Sequence, residues 1–187
     1  MNQYDRAKRY LDRAVDASIK HFGENSKETY ESYNRIGMLY YKRVDLDRAI
    51  FFFQKALKCQ KDLFGEKHSS IASSYNNLGV IFGRKKDFEK QQFYLEKALA
   101  LRSEQVRQTP DDYRSLDFLA SSYNNLSYLH YNLGNYEKQL DFIEKAMEIW
   151  LELKGEKHEK IAILQSNIGD YYSRQGNHEK ELDYLMK

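Results

Sequence analysis

The hydrophobic positions along this chain recur at the spacing of an α-helix. Tyr75, Leu78 and Phe82 fall at positions i, i+3 and i+7, which lie on one face of a helix. Leu95 and Ala98 continue a helical spacing in the next segment. A short link of turn-forming residues separates the two segments. The pattern therefore predicts amphipathic helices joined in pairs by short turns.

The pattern repeats along the chain. Equivalent alanines stand at Ala14, Ala56, Ala98 and Ala146, with separations of 42, 42 and 48 residues. The strings around them are similar: YLDRAVDA, FQKALKC, YLEKALAL and FIEKAMEI. A fixed period of this length is typical of stacked helical hairpins, because a lone hairpin cannot bury both of its faces. The period is thus 42 residues, with one insertion of six.

A second set of anchors marks the other helix of each repeat. It consists of Tyr33, Tyr75, Tyr123 and Gln165. The strings that begin there align without gaps: YNRIGMLYYKRVDLDRA, YNNLGVIFGRKKDFEKQ, YNNLSYLHYNLGNYEKQ and QSNIGDYYSRQGNHEKE. Ile or Leu stands three residues after each anchor, and Gly or Ser stands four residues after it. The small residues would let the two helices of a hairpin approach closely.

At these positions the chain resembles the tetratricopeptide repeat family, whose motif places an aromatic residue, Leu-Gly and Tyr on a first helix and small residues on a second. The resemblance implies an all-α fold, a right-handed α-solenoid of helix-turn-helix hairpins. Counting one opening helix and four pairs gives nine helices. Gln91, Gln139 and Glu181 replace a small residue of the motif, and we expect them to loosen the hairpins locally.

The resemblance places the whole chain in one array, with an incomplete repeat at each end. The expected bounds are 1–23, 24–65, 66–107, 108–155 and 156–187. The 42-residue form resembles the repeats of kinesin light chains and of bacterial regulatory proteins. Its second helices are longer than usual and are expected to stop at Gly23, Gly65 and Gly155.

The six-residue insertion contains the single proline of the chain. Thr109 followed by Pro110 suggests a helix start, with Thr109 as the N-cap and Pro110 at the first helical position. The first helix of the repeat 108–155 would then run from about residue 110 to 133 and be longer than the first helices of the other repeats. A longer preceding loop is the alternative.

The terminal hairpins are predicted to be incomplete. The chain opens in a second helix, from Tyr4 to about His21, and closes partway through another, from Glu179 to Lys187. This favours a segment of a longer array, or half-hairpins completed by another chain. We expect exposed apolar faces and end-to-end self-association. The faces would contain Tyr10, Leu11, Ala14 and optionally Val15 at one end, and Leu182, Leu185 and Met186 at the other.

Composition limits the classes of binding partner and the cellular location to be expected. Lys plus Arg number 30 and Asp plus Glu 28, a net charge of +2, so no strong general attraction to nucleic acid or anionic membranes is expected. A single cysteine, Cys59, excludes an internal disulfide, and its amphipathic surroundings favour a small buried residue. No apolar run is long enough to span a bilayer, and no secretory signal is present. We therefore expect a cytoplasmic protein.

The sequence does not indicate an enzyme. His68 and His158 occupy the same position in turns two repeats apart, roughly 20 Å or more at helix diameters near 10 Å, so they cannot share a metal ion. Packing and surface roles are expected for the remaining histidines, His21, His130 and His178. No Ser-His-acid grouping, phosphate loop or metal-spaced cluster is present. We expect no catalytic residues, metal or cofactor.

The better candidate is a surface built by repetition, one, two, five, eight and nine residues after each anchor. The resemblance implies that this stripe lines a concave groove. Its residues are amides, tyrosines and bases, which suit a peptide backbone and acidic groups. The alternative is an ordinary polar helix surface whose Asn residues form hydrogen bonds between helices. The candidate peptide-binding residues are Asn34, Arg35, Asn76, Asn77, Arg84, Asn124, Asn125, Tyr128, Tyr131, Asn167 and Arg174.

These features favour a scaffold or adaptor that binds a protein or peptide, with an acidic ligand as one option. We expect the ligand to lie along the first helices of the second and third repeats, where amides and aromatics are densest. A regulatory sensor segment that controls an attached effector domain is one alternative. A self-assembling structural spacer is another alternative. Binding of nucleic acid is the fourth function considered and the one least supported.

Overall fold

The computed structural model describes residues 3–186, and these residues form nine α-helices and no β-strand. The predicted all-α class and helix count are therefore confirmed. The helices are α1 (Gln3–Phe22), α2 (Lys27–Lys42), α3 (Leu46–Phe64), α4 (Ser70–Arg84), α5 (Phe88–Gln108), α6 (Tyr113–Asn132), α7 (Tyr136–Lys154), α8 (Glu159–Arg174) and α9 (His178–Leu185).

The chain divides into two compact units, Met1–Leu101 and Arg102–Lys187, with the boundary inside α5. Each unit has a core made of the positions that the repeat predicts. The residues three positions after the anchors, Ile36 and Leu78 in the first unit and Leu126 and Ile168 in the second, are at most 1% exposed. The predicted register of the first helices is thus confirmed.

Small residues let the paired helices approach closely. A Cβ atom added to Gly79 on α4 would lie 2.7 Å from Cγ of Leu95 on α5, and one on Gly37 would lie 3.1 Å from the ring of Phe53. Contacts below 3.0 Å force a neighbour to move. The hairpin α4–α5 therefore depends on the missing side chain at Gly79.

The four hairpin turns share one backbone geometry. In the first turn, the N–H of Asp45 donates to the carbonyl of Tyr40, and the N–H of Val44 donates to that of Tyr41, both at 3.0 Å. This is the Schellman arrangement, which requires a residue with positive φ at the end of the first helix. The residues in that place are Val44 (61°), Lys86 (59°), Gly134 (73°) and Gly176 (70°).

The second helices α3 and α7 stop at glycine, as predicted. Gly65 and Gly155 have φ and ψ near 77° and 167°, and 76° and 169°, a region that only glycine occupies readily. Three residues later a histidine accepts an N–H group at the start of the next helix. Nδ1 of His158 accepts the N–H of Lys160 at 3.1 Å, and Nδ1 of His68 accepts that of Ser70 at 3.2 Å. His158 is the N-cap of α8, whereas His68 lies one residue before Ser69, the N-cap of α4.

The predicted start of α6 at Thr109 is wrong. The N-cap is Asp112, whose carboxylate accepts the N–H groups of Arg114 and Ser115, while the Thr109 hydroxyl donates back to the carbonyl of Gln105. A carboxylate caps better than a hydroxyl because it accepts two N–H groups at the positive end of the helix. The expected longer helix is confirmed, since α6 has 20 residues and its counterparts have 15 or 16.

The terminal helices expose most of the residues expected of them. Tyr10 is 70% exposed, Leu182 57%, Leu185 54% and Met186 84%. Val15, the optional member of the opening face, is instead buried in the core of the first unit. It faces α2, because α1 and α2 pack together. Lys187, part of the predicted closing helix, lies outside the described residues.

Candidate binding groove

The predicted stripes of α6 and α8 face one another across a groove of about 430 Å³ in the second unit. Five predicted site residues line it: Asn124, Asn125, Tyr128, Tyr131 and Asn167. Its other lining residues are Ser127, Gln139, Ile163 and Asp170. The periodic spacing thus places amides and tyrosines from two first helices around one concave site.

The residues that line the groove differ in solvent exposure and in hydrogen bonding. Tyr128 is 61% exposed and Ile163 50%, so both offer free apolar area. Ser127 is buried, and its hydroxyl donates to the carbonyl of Asn124 on the same helix at 2.8 Å. Gln139, from α7, is only 5% exposed. Its Oε1 atom has no hydrogen-bond partner among residues 3–186.

Arg174 borders the groove through Tyr131. Its Nη2 donates to the Tyr131 hydroxyl at 3.0 Å, and its guanidinium lies 5.2 Å from the centres of the Tyr131 and Tyr136 rings. Such cation–π contacts stabilise exposed sites by about 0.5–1 kcal/mol. Arg174 is therefore positioned by the aromatic residues that the repeat provides.

The charge of this groove differs from the mildly basic surface that the sequence suggests. Asp170 is the one charged residue among those that line it, and Arg174 is held against tyrosines at its border. A concave site concentrates the field of a carboxylate that lies in it. The α6–α8 groove is therefore amide-rich and aromatic, as expected, but locally acidic.

The stripe of the first unit is shaped differently. A cavity of about 50 Å³ is lined by Met38, Tyr41, Phe53, Asn77, Val80 and Ile81. Asn77 is thus the predicted site residue on its wall, and Arg84 lies beside it with its guanidinium 4.3 Å from the centre of the Tyr41 ring. Asn34, Arg35 and Asn76 do not line this cavity. The first unit brings fewer predicted residues together, around a smaller and more apolar space.

One pairing recurs in both units. Arg84 stacks on Tyr41, and Arg174 stacks on Tyr131. In each pair the arginine stands nine residues after its anchor, and the tyrosine stands eight residues after the anchor of the preceding first helix. The same repeat positions therefore form the same contact between neighbouring first helices in each unit.

A buried arginine forms hydrogen bonds with α6. Arg102 is 5% exposed and donates to the carbonyl of Phe118 at 2.9 Å and to the hydroxyl of Ser122 at 2.6 Å. Burial lowers the pKa of Arg102 to about 10. One repeat earlier Gln60 stands at the position equivalent to Arg102, and its Oε1 accepts from the Ser74 hydroxyl at 2.6 Å. The polar side chains four residues after Ala56 and Ala98 thus form hydrogen bonds with the first helix that follows each of them.

A shared carboxylate joins the three helices that form the groove. Oδ1 of Asp117 on α6 accepts from Trp150 Nε1 at 2.8 Å and Lys160 Nζ at 3.0 Å, and lies 3.2 Å from Lys154 Nζ. Burial would raise the pKa of Asp117, but the hydrogen bonds from Lys160, Trp150 and Lys154 outweigh it and lower that pKa below its usual value. This cluster connects α6, α7 and α8.

Four residues that line the groove are not among the candidate residues: Ser127, Gln139, Ile163 and Asp170, of which Asp170 stands on the predicted stripe, five residues after its anchor. Gln139 stood out only as a departure from the small residue of the repeat motif, and its size is what brings its amide into the groove. Ile163 lies two residues before an anchor, at a position where the period gives no sign of exposure. A large polar residue at a normally small position is the signal that could have identified Gln139.

Cys59 is buried, as expected. Its thiol donates to the carbonyls of Glu24 and Ser26 at 3.4 Å each, and burial raises its pKa. Among the side chains that the structure describes, His, Cys, Asp and Glu form no group of three that could hold a metal ion. Within the same residues, every helix is too short or too polar to cross a membrane.

Solved structures share this architecture at low sequence identity. BtubC (BKLC) from P. vanneervenii is 18% identical, with a TM-score of 0.72 over 99% of this chain and 89% of that one. A Podosopora anserina putative kinesin light chain with nearly identical TPR-like repeats is 16% identical, with a TM-score of 0.70 over 98% and 84%. MamA is 18% identical, with a TM-score of 0.64 over 100% and 92%.

None of the curated protein sequences is significantly similar to this chain. The structural likenesses confirm the predicted α-solenoid fold class and the resemblance to kinesin light chain-like repeats. A profile of the tetratricopeptide repeat matches residues 28–104 and 118–187, which together make up more than half of the chain. Burial of the predicted positions confirms the register of the repeats, and contacts between paired helices confirm the hairpins. The chain therefore belongs to the tetratricopeptide repeat family.

Proposed function

We propose that this chain is a non-catalytic scaffold that binds a protein or peptide in the α6–α8 groove of its second unit. The observation that carries the proposal is the groove itself, about 430 Å³ and lined by five residues that the repeat pattern selects. Its volume falls within the range of about 300–1,000 Å³ that is usual for ligand sites.

The side chains suit an extended peptide. The carboxamides of Asn124, Asn125 and Asn167 can donate to peptide carbonyls and accept from peptide N–H groups. Tyr128 offers a large exposed ring with few torsions to immobilise, which keeps the entropy cost of binding low. Ile163 adds an exposed apolar contact. Together they provide backbone recognition and one hydrophobic anchor point.

The stripe of the first unit, considered by itself, suits acidic groups. Arg35 and Arg84 are exposed there, and a guanidinium stacked on a ring keeps its N–H groups at its edge. Because these contacts lie near the surface, they would weaken with added salt. We expect Arg84→Glu to penalise acidic ligands selectively.

The test begins with a ligand selected from a displayed library of random twelve-residue peptides against the purified chain. Calorimetry then compares the wild type with Tyr128→Ala/Asn167→Ala. We expect affinity to fall at least tenfold, since each lost hydrogen bond costs about 1 kcal/mol and the lost ring contact adds to it. Glu144→Ala, an exposed change on α7, is the control and should bind normally.

Helicity of both variants is checked by circular dichroism, so that weaker binding is not due to unfolding. If the doubly substituted protein is folded and binds every selected peptide as tightly as the wild type, the groove is not the binding site. In that case the stripe is an ordinary polar surface of a helical array.

A further inference from the structure

A buried hydrogen-bond acceptor that lacks a donor among the described residues lines the α6–α8 groove. Gln139 is 95% buried, lines the groove, and its Oε1 has no hydrogen-bond partner within residues 3–186. Leaving such a group unpaired is costly, because folding removes it from water without replacing its hydrogen bond. A ligand that donates a hydrogen bond at this point would relieve that cost.

The wall of the same groove carries a negative charge. Asp170, from α8, is the one charged residue that lines it. The nearest arginine in the stripe, Arg174, already donates to Tyr131 and stacks on Tyr131 and Tyr136. The groove therefore offers two acceptors, one of them anionic, and its aromatic Tyr128 is 61% exposed.

We propose that the ligand of the α6–α8 groove inserts a lysine or arginine side chain, whose N–H groups donate to Gln139 Oε1 and to the Asp170 carboxylate. This inference rests on the proposed function and specifies the ligand that it requires. The aliphatic part of such a side chain packs on Tyr128, and a cation near the face of an aromatic ring is attracted to it.

The same chemistry disfavours an acidic group at this point. A carboxylate of the ligand would be repelled by Asp170 and could not donate to Gln139 Oε1. A neutral apolar side chain would leave the buried acceptor unpaired. Arg35 and Arg84, the bases of the first unit's stripe, do not line this groove.

Three pools of labelled heptapeptides provide the probe. They share mixed Ala, Ser, Asn, Leu and Tyr flanks, have blocked termini, and differ only in a fixed central Lys, Gln or Glu. Fluorescence anisotropy measures their Kd at low ionic strength. We expect the Lys pool to bind at least tenfold more tightly than the Glu pool, with the Gln pool between them.

Two substitutions test whether Asp170 and Gln139 cause the preference for Lys. Asp170→Asn should remove most of the preference for Lys over Glu, and Gln139→Met should weaken the Lys pool several-fold while keeping the buried volume similar. Asp141→Asn is the matched control. It removes a carboxylate from the same unit, but that carboxylate is exposed and paired with Lys145 outside the groove, so the preference should stay.

The outcomes separate this inference from the proposed function. If the Glu pool binds as tightly as the Lys pool and Tyr128→Ala weakens both, the groove is a peptide site and the basic ligand is wrong. A preference for Lys that persists in Asp170→Asn also overturns the inference. If no pool binds at millimolar concentration, the groove binds no short peptide, and both proposals fail.

Discussion

At the scale of single residues, backbone conformation is the strongest local constraint. Gly134 and Gly176 occupy the left-handed position of their hairpin turns with φ of 73° and 70°. The same position holds Val44 at φ 61° and Lys86 at φ 59°. A left-handed backbone costs most residues about 1–2 kcal/mol, and a β-branched residue is an outlier there. Val44 is therefore held in place by the hairpin around it.

Relieving this strain should stabilise the protein. Val44 is 67% exposed, so Val44→Gly loses little packing, and we expect a gain of about 0.5–1 kcal/mol after allowing for the flexibility of glycine in the unfolded chain. In a thermal melt this corresponds to an increase in Tm of about 1–4 °C. Gly134→Val is the reciprocal control and should lower Tm. A lower Tm for Val44→Gly would show that Val44 is not strained.

At the scale of helices, the sequence predicts the buried positions, which recur with the repeat, and does not predict the start of α6, which depends on local capping. The register of Ile36, Leu78 and Leu126 follows from spacing alone, because burial of one helix face requires it. The start of α6 does not follow, since Thr109 and Asp112 are both good caps, and in the structure Thr109 instead bonds back to the carbonyl of Gln105 at the end of α5. Cap choice depends on where the preceding helix stops, which no repeat position determines.

The packing of α6, α7 and α8 should depend on pH through Asp117. Its folded-state pKa is lowered, although burial opposes this, because Lys160, Trp150 and Lys154 bind its ionised form. Its contribution to stability is therefore present above the unfolded-state pKa of about 3.9 and is lost as pH falls through the lower folded-state pKa. We expect the second unit to lose stability below about pH 4.

Denaturant unfolding between pH 7 and pH 3 measures this contribution. Asp117→Asn should be less stable than the wild type by about 1–2 kcal/mol at pH 7, and the difference should shrink towards pH 3, because protonation of Asp117 in the unfolded chain stabilises the unfolded state. Asp141→Asn, which removes an exposed carboxylate of α7, serves as the control and should change stability little. A constant difference across this pH range would contradict the assigned role of Asp117.

At the scale of the whole molecule, repetition explains most of the candidate site. Six of its lining residues, the five candidates and Asp170, stand at positions counted from the anchors. The Arg84–Tyr41 and Arg174–Tyr131 pairs show that equivalent positions form equivalent contacts. Repetition does not explain why the second unit has the larger groove. That difference comes from the individual side chains, such as Met38 and Val80 on one stripe and Tyr128 and Asp170 on the other.

Nuclear magnetic resonance on the complex with a selected peptide tests the groove most directly. The side-chain amides of Asn124, Asn125, Asn167 and Gln139 each give a pair of N–H signals, which shift when their hydrogen bonding changes. We predict that titration of the peptide shifts these signals, together with the backbone amide of Asp170, while the outer face of α7 around Glu144 stays unchanged. Shifts confined to α7, with the four side-chain amides unaffected, would place the ligand outside the groove and contradict the account.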